Sequence, residues 1–201
     1  MAMTCTFIAL DLSEAARAAL RGEVQRLTRA LPDVRFVDPT TLHLTLAFLG
    51  ELDDETLATV IALAGEVARH AAPFELALAG LGVFGPPAAP RVIWAGVGGE
   101  TRPLLALQRR LAAALEAEGF PREQRPFAPH LTLARLKRPL DDAARQRLDK
   151  LLASSASKPA SKATRWRVAD LRVMRSELAA TGARYTALSV APLVGGSGAS
   201  R

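Results

Sequence analysis

Apolar positions along the chain recur with the period of a strand in some stretches and of a helix in others. Residues 4–10 form an apolar run of the length expected for a buried strand. Ser13 then precedes a stretch in which apolar residues return every three or four positions, as on one face of a helix. That stretch ends at Pro32-Asp33, and residues 34–37 follow as a brief predicted strand. The N-terminal part is therefore predicted to form a strand, a helix and a second, short strand.

The same patterns continue to the C-terminus. Three further helices are predicted to begin near residues 53, 101 and 141, and the last of them runs to about residue 152. The remaining predicted strands are residues 42–49, 74–83, 91–97, 130–136, 165–175 and 184–191. Residues 154–163 are rich in Ser, Lys and Ala and are predicted to be a flexible loop. The tail, residues 194–201, is predicted to be disordered.

The order of these predicted elements occurs twice. Helix, strand, helix, strand, strand spans residues 14–97 and again residues 103–191, which indicates a duplicated unit. Each copy has a strand with the sequence His-Leu-Thr-Leu, at His43–Leu46 and at His130–Leu133. We therefore expect one two-lobed domain over residues 1–193, in which each unit brings one tetrad to a comparable place.

Composition narrows the class of protein. The chain has 201 residues, of which 49% are hydrophobic, enough for one domain with a substantial core. It has 26 Lys and Arg against 20 Asp and Glu, a net charge of +6. This charge favours phosphate-bearing partners, but a soluble protein from a source rich in Arg would carry it as well. The charge alone therefore defines no partner.

The single cysteine, Cys5, excludes an intrachain disulfide and argues against a thiolate zinc site. No apolar run approaches the length of a membrane span, and the N-terminus has no secretory signal pattern. We expect a cytoplasmic protein that does not bind membranes.

The two tetrads carry the candidate chemistry. Residues i and i+2 of a strand project from one face, so His43 points with Thr45, and His130 with Thr132. Two such pairs across a cleft would surround a small tetrahedral anion. One imidazole would take a proton and the other would give one, while the hydroxyls bind oxygens of the anion. The residues alone leave open which histidine is the acid and which the base.

Other interpretations of the histidines are weaker. One His-x-Thr could be a core histidine with a satisfied hydrogen bond, but two identical tetrads at equivalent places of a repeat argue against that. A zinc ion would need further ligands, and His70 and Cys5 have no suitable spacing. His70 lies near a predicted helix end, where a cation complements the helix dipole, and we assign it no catalytic role. We therefore expect no metal and no other cofactor.

The tetrads and their flanking residues resemble 2H phosphoesterases of the RNA 2′,3′-cyclic phosphodiesterase group, formerly called 2′-5′ RNA ligases. The matching segments are residues 7–10, 42–50, 91–94, 127–135 and 176–185. The resemblance covers about residues 5–193. It implies an α+β fold with two lobes, each an antiparallel sheet with outer helices, around a central cleft.

The resemblance also implies a reaction. It is the hydrolysis of a ribose 2′,3′-cyclic phosphate to a 2′-phosphomonoester, with His43 as proton donor to the leaving 3′ oxygen and His130 as the acceptor that activates water. Arg135, Tyr185 and Phe48 are the expected substrate-binding residues, the last by stacking on a base. The expected partners are RNAs with 2′,3′-cyclic phosphate ends, such as tRNA fragments, or cyclic nucleotides. We expect the protein to act as a monomer.

Two other functions use the same residues. A reversible 2′-5′ RNA ligase would run the reverse reaction through the same acid and base. A non-catalytic RNA- or nucleotide-binding module would keep the fold without turnover, although the presence of both histidines and both threonines argues against it.

Overall fold

The computed structural model of the protein describes residues 3–86, 88–156, 164–179 and 182–195. Within these ranges the chain forms eight strands, four α-helices and one 3-10 turn. In chain order they are β1 (Thr4–Leu10), α1 (Glu14–Ala30), the 3-10 turn (Pro39–Thr41), β2 (Leu44–Leu52), α2 (Asp54–Arg69), β3 (Phe74–Phe84), β4 (Val92–Gly99), α3 (Thr101–Ala117), β5 (His130–Arg135), α4 (Asp142–Ala156), β6 (Arg165–Val168), β7 (Asp170–Ala179) and β8 (Gly182–Pro192).

The strands form two antiparallel sheets of four. The first sheet has the order β2-β1-β7-β8, and the second has the order β5-β4-β3-β6. The two strands that carry the tetrads, β2 and β5, are therefore edge strands, each in a different sheet. These edges contact one another. The predicted α+β fold with two antiparallel sheets is confirmed.

Each sheet is built from both halves of the chain. The hairpin β3–β4 follows the first tetrad but lies in the second sheet, beside β5. The hairpin β7–β8 follows the second tetrad but lies in the first sheet, beside β1. The predicted units, residues 14–97 and 103–191, thus contribute strands to both sheets, and the duplication itself stays a prediction.

The helices cover the sheets and complete one core. Ser13 Oγ accepts the Ala16 N–H at 3.2 Å and begins α1, and Asp53 Oδ1 accepts the Thr56 N–H at 2.8 Å and begins α2. Helix α2 packs on β7 and β8, and α4 packs on β3. Buried apolar side chains of both sheets and of the helices form one continuous cluster. No helix among the described residues is long and apolar enough to cross a membrane.

The predicted strand over residues 165–175 is wrong in one respect, because it is two strands in two sheets. Trp166 and Val168 of β6 are buried in the second sheet, and Leu171 and Val173 of β7 are buried in the first. Ala169 separates the two strands. The buried apolar residues lie at even positions in β6 and at odd positions in β7, so the alternation shifts by one at Ala169-Asp170, a break that one continuous predicted strand overlooks.

Two other boundaries differ from the prediction. Residues 34–37 do not form a strand. Phe36 makes an isolated bridge with Ala134, and the Val37 N–H donates to the Leu133 carbonyl at 2.8 Å. Helix α4 continues to residue 156, so the first part of the predicted loop is helical, and residues 157–163 lie outside the described residues.

The predicted C-terminal tail lies mostly outside the described residues, from residue 196 onward. Its first part is described. The Gly195 N–H donates to the Ala71 carbonyl at 3.0 Å.

Candidate active site

His43 is separated from the 3-10 turn by Leu42 and lies directly before β2. Its Nδ1 is 2.9 Å from the carbonyl oxygen of Thr41. A carbonyl oxygen only accepts, so Nδ1 carries the proton and donates, and Nε2 is left for a ligand. The ring stacks on Phe7 with 4.6 Å between centroids, and Tyr185 meets it edge-on at 4.8 Å. The imidazole is thus held by one hydrogen bond and two aromatic rings.

The pKa of His43 lies below the ordinary value of a histidine. Burial is the main cause, because it disfavours the charged imidazolium, and the nearby Arg17 cation lowers the pKa further. The Thr41 carbonyl and the Asp11 carboxylate act in the opposite direction. In the free protein the neutral form of His43 is therefore favoured.

Arg17 of α1 holds the turn that precedes His43. Its Nη1 donates to three carbonyl oxygens of that turn, at 3.4, 2.8 and 2.9 Å, those of Pro39, Thr40 and Leu42. The Arg17 guanidinium also forms an ion pair with Asp11, whose carboxylate binds Arg172 of β7 as well. These bonds connect α1, β1 and β7 to the turn whose Thr41 carbonyl orients His43.

His130 is oriented in the same way from the other sheet. It is the first residue of β5, and its Nδ1 is 2.8 Å from the carbonyl oxygen of Ala128. As at the first tetrad, the partner carbonyl lies two residues before the histidine, so Nε2 is again free. Phe84 meets the ring edge-on at 4.8 Å. Within the described ranges, no arginine holds the residues before His130 as Arg17 holds those before His43.

The two tetrads meet in one open pocket with a cavity volume of about 110 Å³. Its lining residues are Val37, Thr41, Leu42, His43, Thr45, His130, Thr132, Arg135 and Tyr185. Within the described part of the chain, the hydroxyls of Thr45 and Thr132 have no hydrogen-bond partner. Two imidazoles and two available hydroxyls therefore face the same space.

Six of the seven predicted site residues line this pocket, and Phe48 does not. Strict alternation along the strand would place Phe48 on the same face as the buried Leu44 and Leu46. In the structure the β1–β2 pairing has an irregularity, so that Thr45 lies opposite Ala9 while Phe48 lies opposite Phe7. Phe48 is therefore on the Thr45 side of the strand, where it is 69% exposed.

The residues that support the histidines did not follow from the patterning. Arg17, Phe7 and Phe84 contact the histidines or the residues that orient them. Trp94 lies opposite Thr132 in the β4–β5 pair, and its ring is 5.3 Å from that of Phe84. Phe7 and Trp94 fall within segments that resemble the phosphoesterase family, which was the one available signal for them.

Trp94 lies directly over Gly82 of β3. A Cβ atom at Gly82 would overlap three ring atoms of Trp94. We therefore expect Gly82→Ala to displace Trp94, and with it Phe84 and His130, and to destabilise the protein by about 1–3 kcal/mol. Thermal unfolding and turnover measurements test this.

Gly65→Ala is the matched control for Gly82→Ala. A Cβ at Gly65 of α2 would meet nothing within 4 Å. Alanine also favours a helix over glycine by about 0.5–1 kcal/mol, so this variant should be at least as stable as the unmodified protein. Equal unfolding temperatures for the two variants would show that Trp94 adapts without loss.

The described residues include no cluster of three or more His, Cys, Asp or Glu side chains that could hold a metal ion. The expectation that the protein needs no metal stays a prediction.

A two-sheet α+β fold in which two His-x-Thr strands meet in one pocket defines a protein of the 2H class. Residues 15–179, most of the chain, match the family model of the 2′-5′ RNA ligase superfamily. The chain belongs to this superfamily, and the resemblance inferred from the tetrads is confirmed.

Individual relatives agree with this assignment. The chain is 41% identical over 129 residues to an RNA 2′,3′-cyclic phosphodiesterase of Geobacillus stearothermophilus, a match that covers 64% of this chain and 41% of that protein. It is 33% identical over 184 residues to the RNA 2′,3′-cyclic phosphodiesterase of Methanothermobacter thermautotrophicus, covering 92% of this chain and 96% of that one. The crystal structure of E. coli LigT complexed with 3′-AMP superimposes with a TM-score of 0.73 at 26% identity, covering 96% and 99% of the two chains.

Proposed function

We propose that this protein hydrolyses the 2′,3′-cyclic phosphate at the ends of RNA and leaves a 2′-phosphomonoester and a free 3′ hydroxyl. The observation that carries the proposal is the meeting of His43 and His130 in one pocket, with Nδ1 of each bound to a carbonyl and Nε2 of each free. The names of the relatives in Geobacillus and Methanothermobacter support the same reaction.

The two imidazoles account for every proton in the reaction. The oxygen of a water molecule bonds to phosphorus while Nε2 of His130 takes one of its protons. The bond from phosphorus to the 3′ oxygen breaks, and that oxygen receives the proton from Nε2 of His43. His130 then holds a proton and His43 has lost one, and exchange with solvent restores the starting state.

His43 acts as the donor in this scheme only if the substrate changes its protonation. Burial lowers the pKa of His43 in the free protein, so its neutral form is favoured there. A cyclic phosphate carries a negative charge, and that charge beside the imidazole favours imidazolium and raises its pKa. Substrate binding therefore favours protonation of His43. The Thr41 carbonyl, bound to Nδ1, keeps the protonated Nε2 of His43 directed at the pocket.

The threonine hydroxyls bind the two non-bridging oxygens of the phosphate. Thr45 and Thr132 each lie two positions after a histidine and face the same pocket, and neither hydroxyl is engaged elsewhere in the described chain. They can therefore donate to oxygens whose negative charge grows as phosphorus becomes five-coordinate.

The nucleoside contacts the wall formed by the first sheet. Tyr185 lines the pocket, and Phe48 lies on the same side of that sheet with its ring exposed. An exposed aromatic ring beside a phosphate site is suited to stacking on a base. Arg135 lines the opposite part of the pocket and supplies a cation.

A direct test uses 2′,3′-cyclic AMP and an oligoribonucleotide that ends in a 2′,3′-cyclic phosphate, with EDTA present. The expected product is 2′-AMP, or the 2′-phosphate end, which chromatography separates from the 3′ isomer. Binding without turnover would identify a nucleotide-binding module instead. Incubation with tRNA halves tests the ligase reaction, since joined product would show the reverse direction. Action on tRNA fragments, a monomeric state and a cytoplasmic location stay predictions.

A further inference from the structure

Four exposed cations lie together at the end of the second sheet, next to the pocket. Arg135 is the last residue of β5, and Lys137 and Arg138 follow it. Arg91 lies beside them, because the Leu136 N–H donates to its carbonyl oxygen at 2.8 Å. We call Arg91, Arg135, Lys137 and Arg138 the basic patch.

The basic patch is not neutralised by the protein. In the described part of the chain none of its four side chains has a carboxylate partner. The two acidic residues that follow the patch have other partners. Asp141 Oδ1 accepts the Ala144 N–H at 2.7 Å, and Asp142 Oδ1 forms an ion pair with Arg145 Nη2 at 3.0 Å. Like charges held together without counter-charges repel one another, and a bound polyanion relieves that repulsion.

Arg135 makes the patch continuous with the pocket. It is a member of the patch, and it also lines the space between His43 and His130. A cyclic phosphate bound between these histidines is the last phosphate of an RNA strand. The preceding phosphodiesters, on the 5′ side, leave the pocket one after another, and each carries one negative charge.

We infer that the basic patch binds the phosphodiester backbone on the 5′ side of the cyclic phosphate, so that the protein prefers polymeric RNA to a cyclic mononucleotide. The inference rests on the proposed function. The two sides of the pocket then bind different parts of the RNA. Aromatic rings of the first sheet contact the terminal nucleobase, and cations of the second sheet contact the phosphodiester backbone.

The test compares the double variant Lys137→Ala/Arg138→Ala with the unmodified protein on two substrates. One is a ten-nucleotide RNA with a 2′,3′-cyclic phosphate, and the other is 2′,3′-cyclic AMP. On the RNA at low salt, KM should rise about tenfold with little change in kcat. The slope of log(1/KM) against log[salt] should become shallower by about 1.4, because each lost phosphate contact on a single strand contributes about 0.7. The loss should be confined to the RNA.

Arg102→Ala/Arg109→Ala is the matched control. Both arginines are exposed on α3, and in the described chain neither has a carboxylate partner. The control removes the same charge, so a general field effect would lower RNA turnover equally in both double variants. That result would overturn the inference, as would an equal loss on RNA and on 2′,3′-cyclic AMP.

Direct binding separates failure of this inference from failure of the proposed function. The probe is the same fluorescent ten-nucleotide RNA, ended by a 2′-phosphate and followed by anisotropy. If no substrate is turned over but the patch variant binds this RNA about tenfold more weakly than the control, RNA binding by the patch is supported and the proposed reaction is overturned. If turnover is normal and the two variants bind the RNA equally, the proposed reaction is supported and RNA binding by the patch is overturned.

Discussion

Replacing His130 by alanine is expected to lower kcat on a 2′,3′-cyclic phosphate by about 10²–10⁴-fold, the usual contribution of a general acid or base. In the proposed reaction His130 supplies the Nε2 that takes the proton from water, and no other described residue of the pocket except His43 has an imidazole. His43→Ala should fall in the same range, because the 3′ oxygen then leaves without a proton. Single-turnover measurements would separate this chemical step from product release.

His70→Ala is the control for both variants. His70 is exposed at the end of α2, with its Nδ1 3.0 Å from the Glu66 carbonyl, and it lies outside the pocket. It should retain full activity. The double variant His43→Ala/His130→Ala should be about as slow as either single variant, because groups that act as a unit lose their effect together. Substantial turnover in either single variant would contradict paired proton transfer.

Both histidines pack against aromatic rings, so loss of activity could arise from loss of packing. His130→Asn and His43→Asn keep a polar side chain that can donate to the same carbonyls. Their unfolding temperatures should stay close to that of the unmodified protein, while their kcat values fall as in the alanine variants. Variants that are folded and inactive would place the effect in the chemistry.

The tetrads illustrate what strand periodicity predicts well. Alternation along β2 and β5 places each histidine with its threonine on one side and the intervening leucine in the core, and Leu44 and Leu131 are indeed fully buried. Strict alternation does not extend to Phe48, three residues after Thr45. One irregularity in the pairing with β1 brings Phe48 to the Thr45 side of the strand, a second one follows between Phe48 and Gly50, and nothing in a sequence of apolar residues marks either position. The predicted contact of Phe48 with substrate stays a prediction.

The support of His43 lies beyond any local pattern. Arg17 is on the polar side of a helix more than twenty positions before the carbonyls it binds, and a helical pattern assigns such a residue to solvent. The exchange of hairpins between the sheets is equally hidden, because each hairpin satisfies the same alternation in either sheet. Local periodicity predicted the helices and strands, and it predicted that each histidine projects from the same side of its strand as the threonine two positions later. Long-range pairing decided which elements meet.

Arg17→Met is expected to lower kcat by about 10–10²-fold, although Arg17 does not line the pocket. The variant removes the donor to three carbonyl oxygens of the turn before His43. The Thr41 carbonyl then no longer holds the imidazole in one orientation, and misplacement of a reacting group by about 1 Å can cost about 10²-fold. Arg29→Met is the matched control, since Arg29 is exposed at the other end of the same helix and its loss changes the charge equally.

The same variant tests the protonation of His43. Arg17→Met removes the Arg17 charge, which lowers the pKa of His43, and loosens the Thr41 hydrogen bond, which raises it. The hydrogen bond is the larger of these two contributions, and the ring stays packed on Phe7 and Tyr185. The pKa of His43 should therefore fall further, which NMR titration of the imidazole Cε1 proton measures. An unchanged pKa of His43, together with a kcat equal to that of Arg29→Met, would show that Arg17 does not position His43.

The pH profile then tells donor from acceptor. The value of kcat/KM reports groups of the free enzyme. If His43 donates its proton, kcat/KM falls as pH rises through the pKa of His43, and Arg17→Met moves this alkaline fall to lower pH. If His43 accepts a proton, kcat/KM rises with pH through the same pKa, and the variant moves that acidic rise to lower pH. The shift has one sign in both cases, so the limb on which it occurs assigns the role that two identical tetrads leave open.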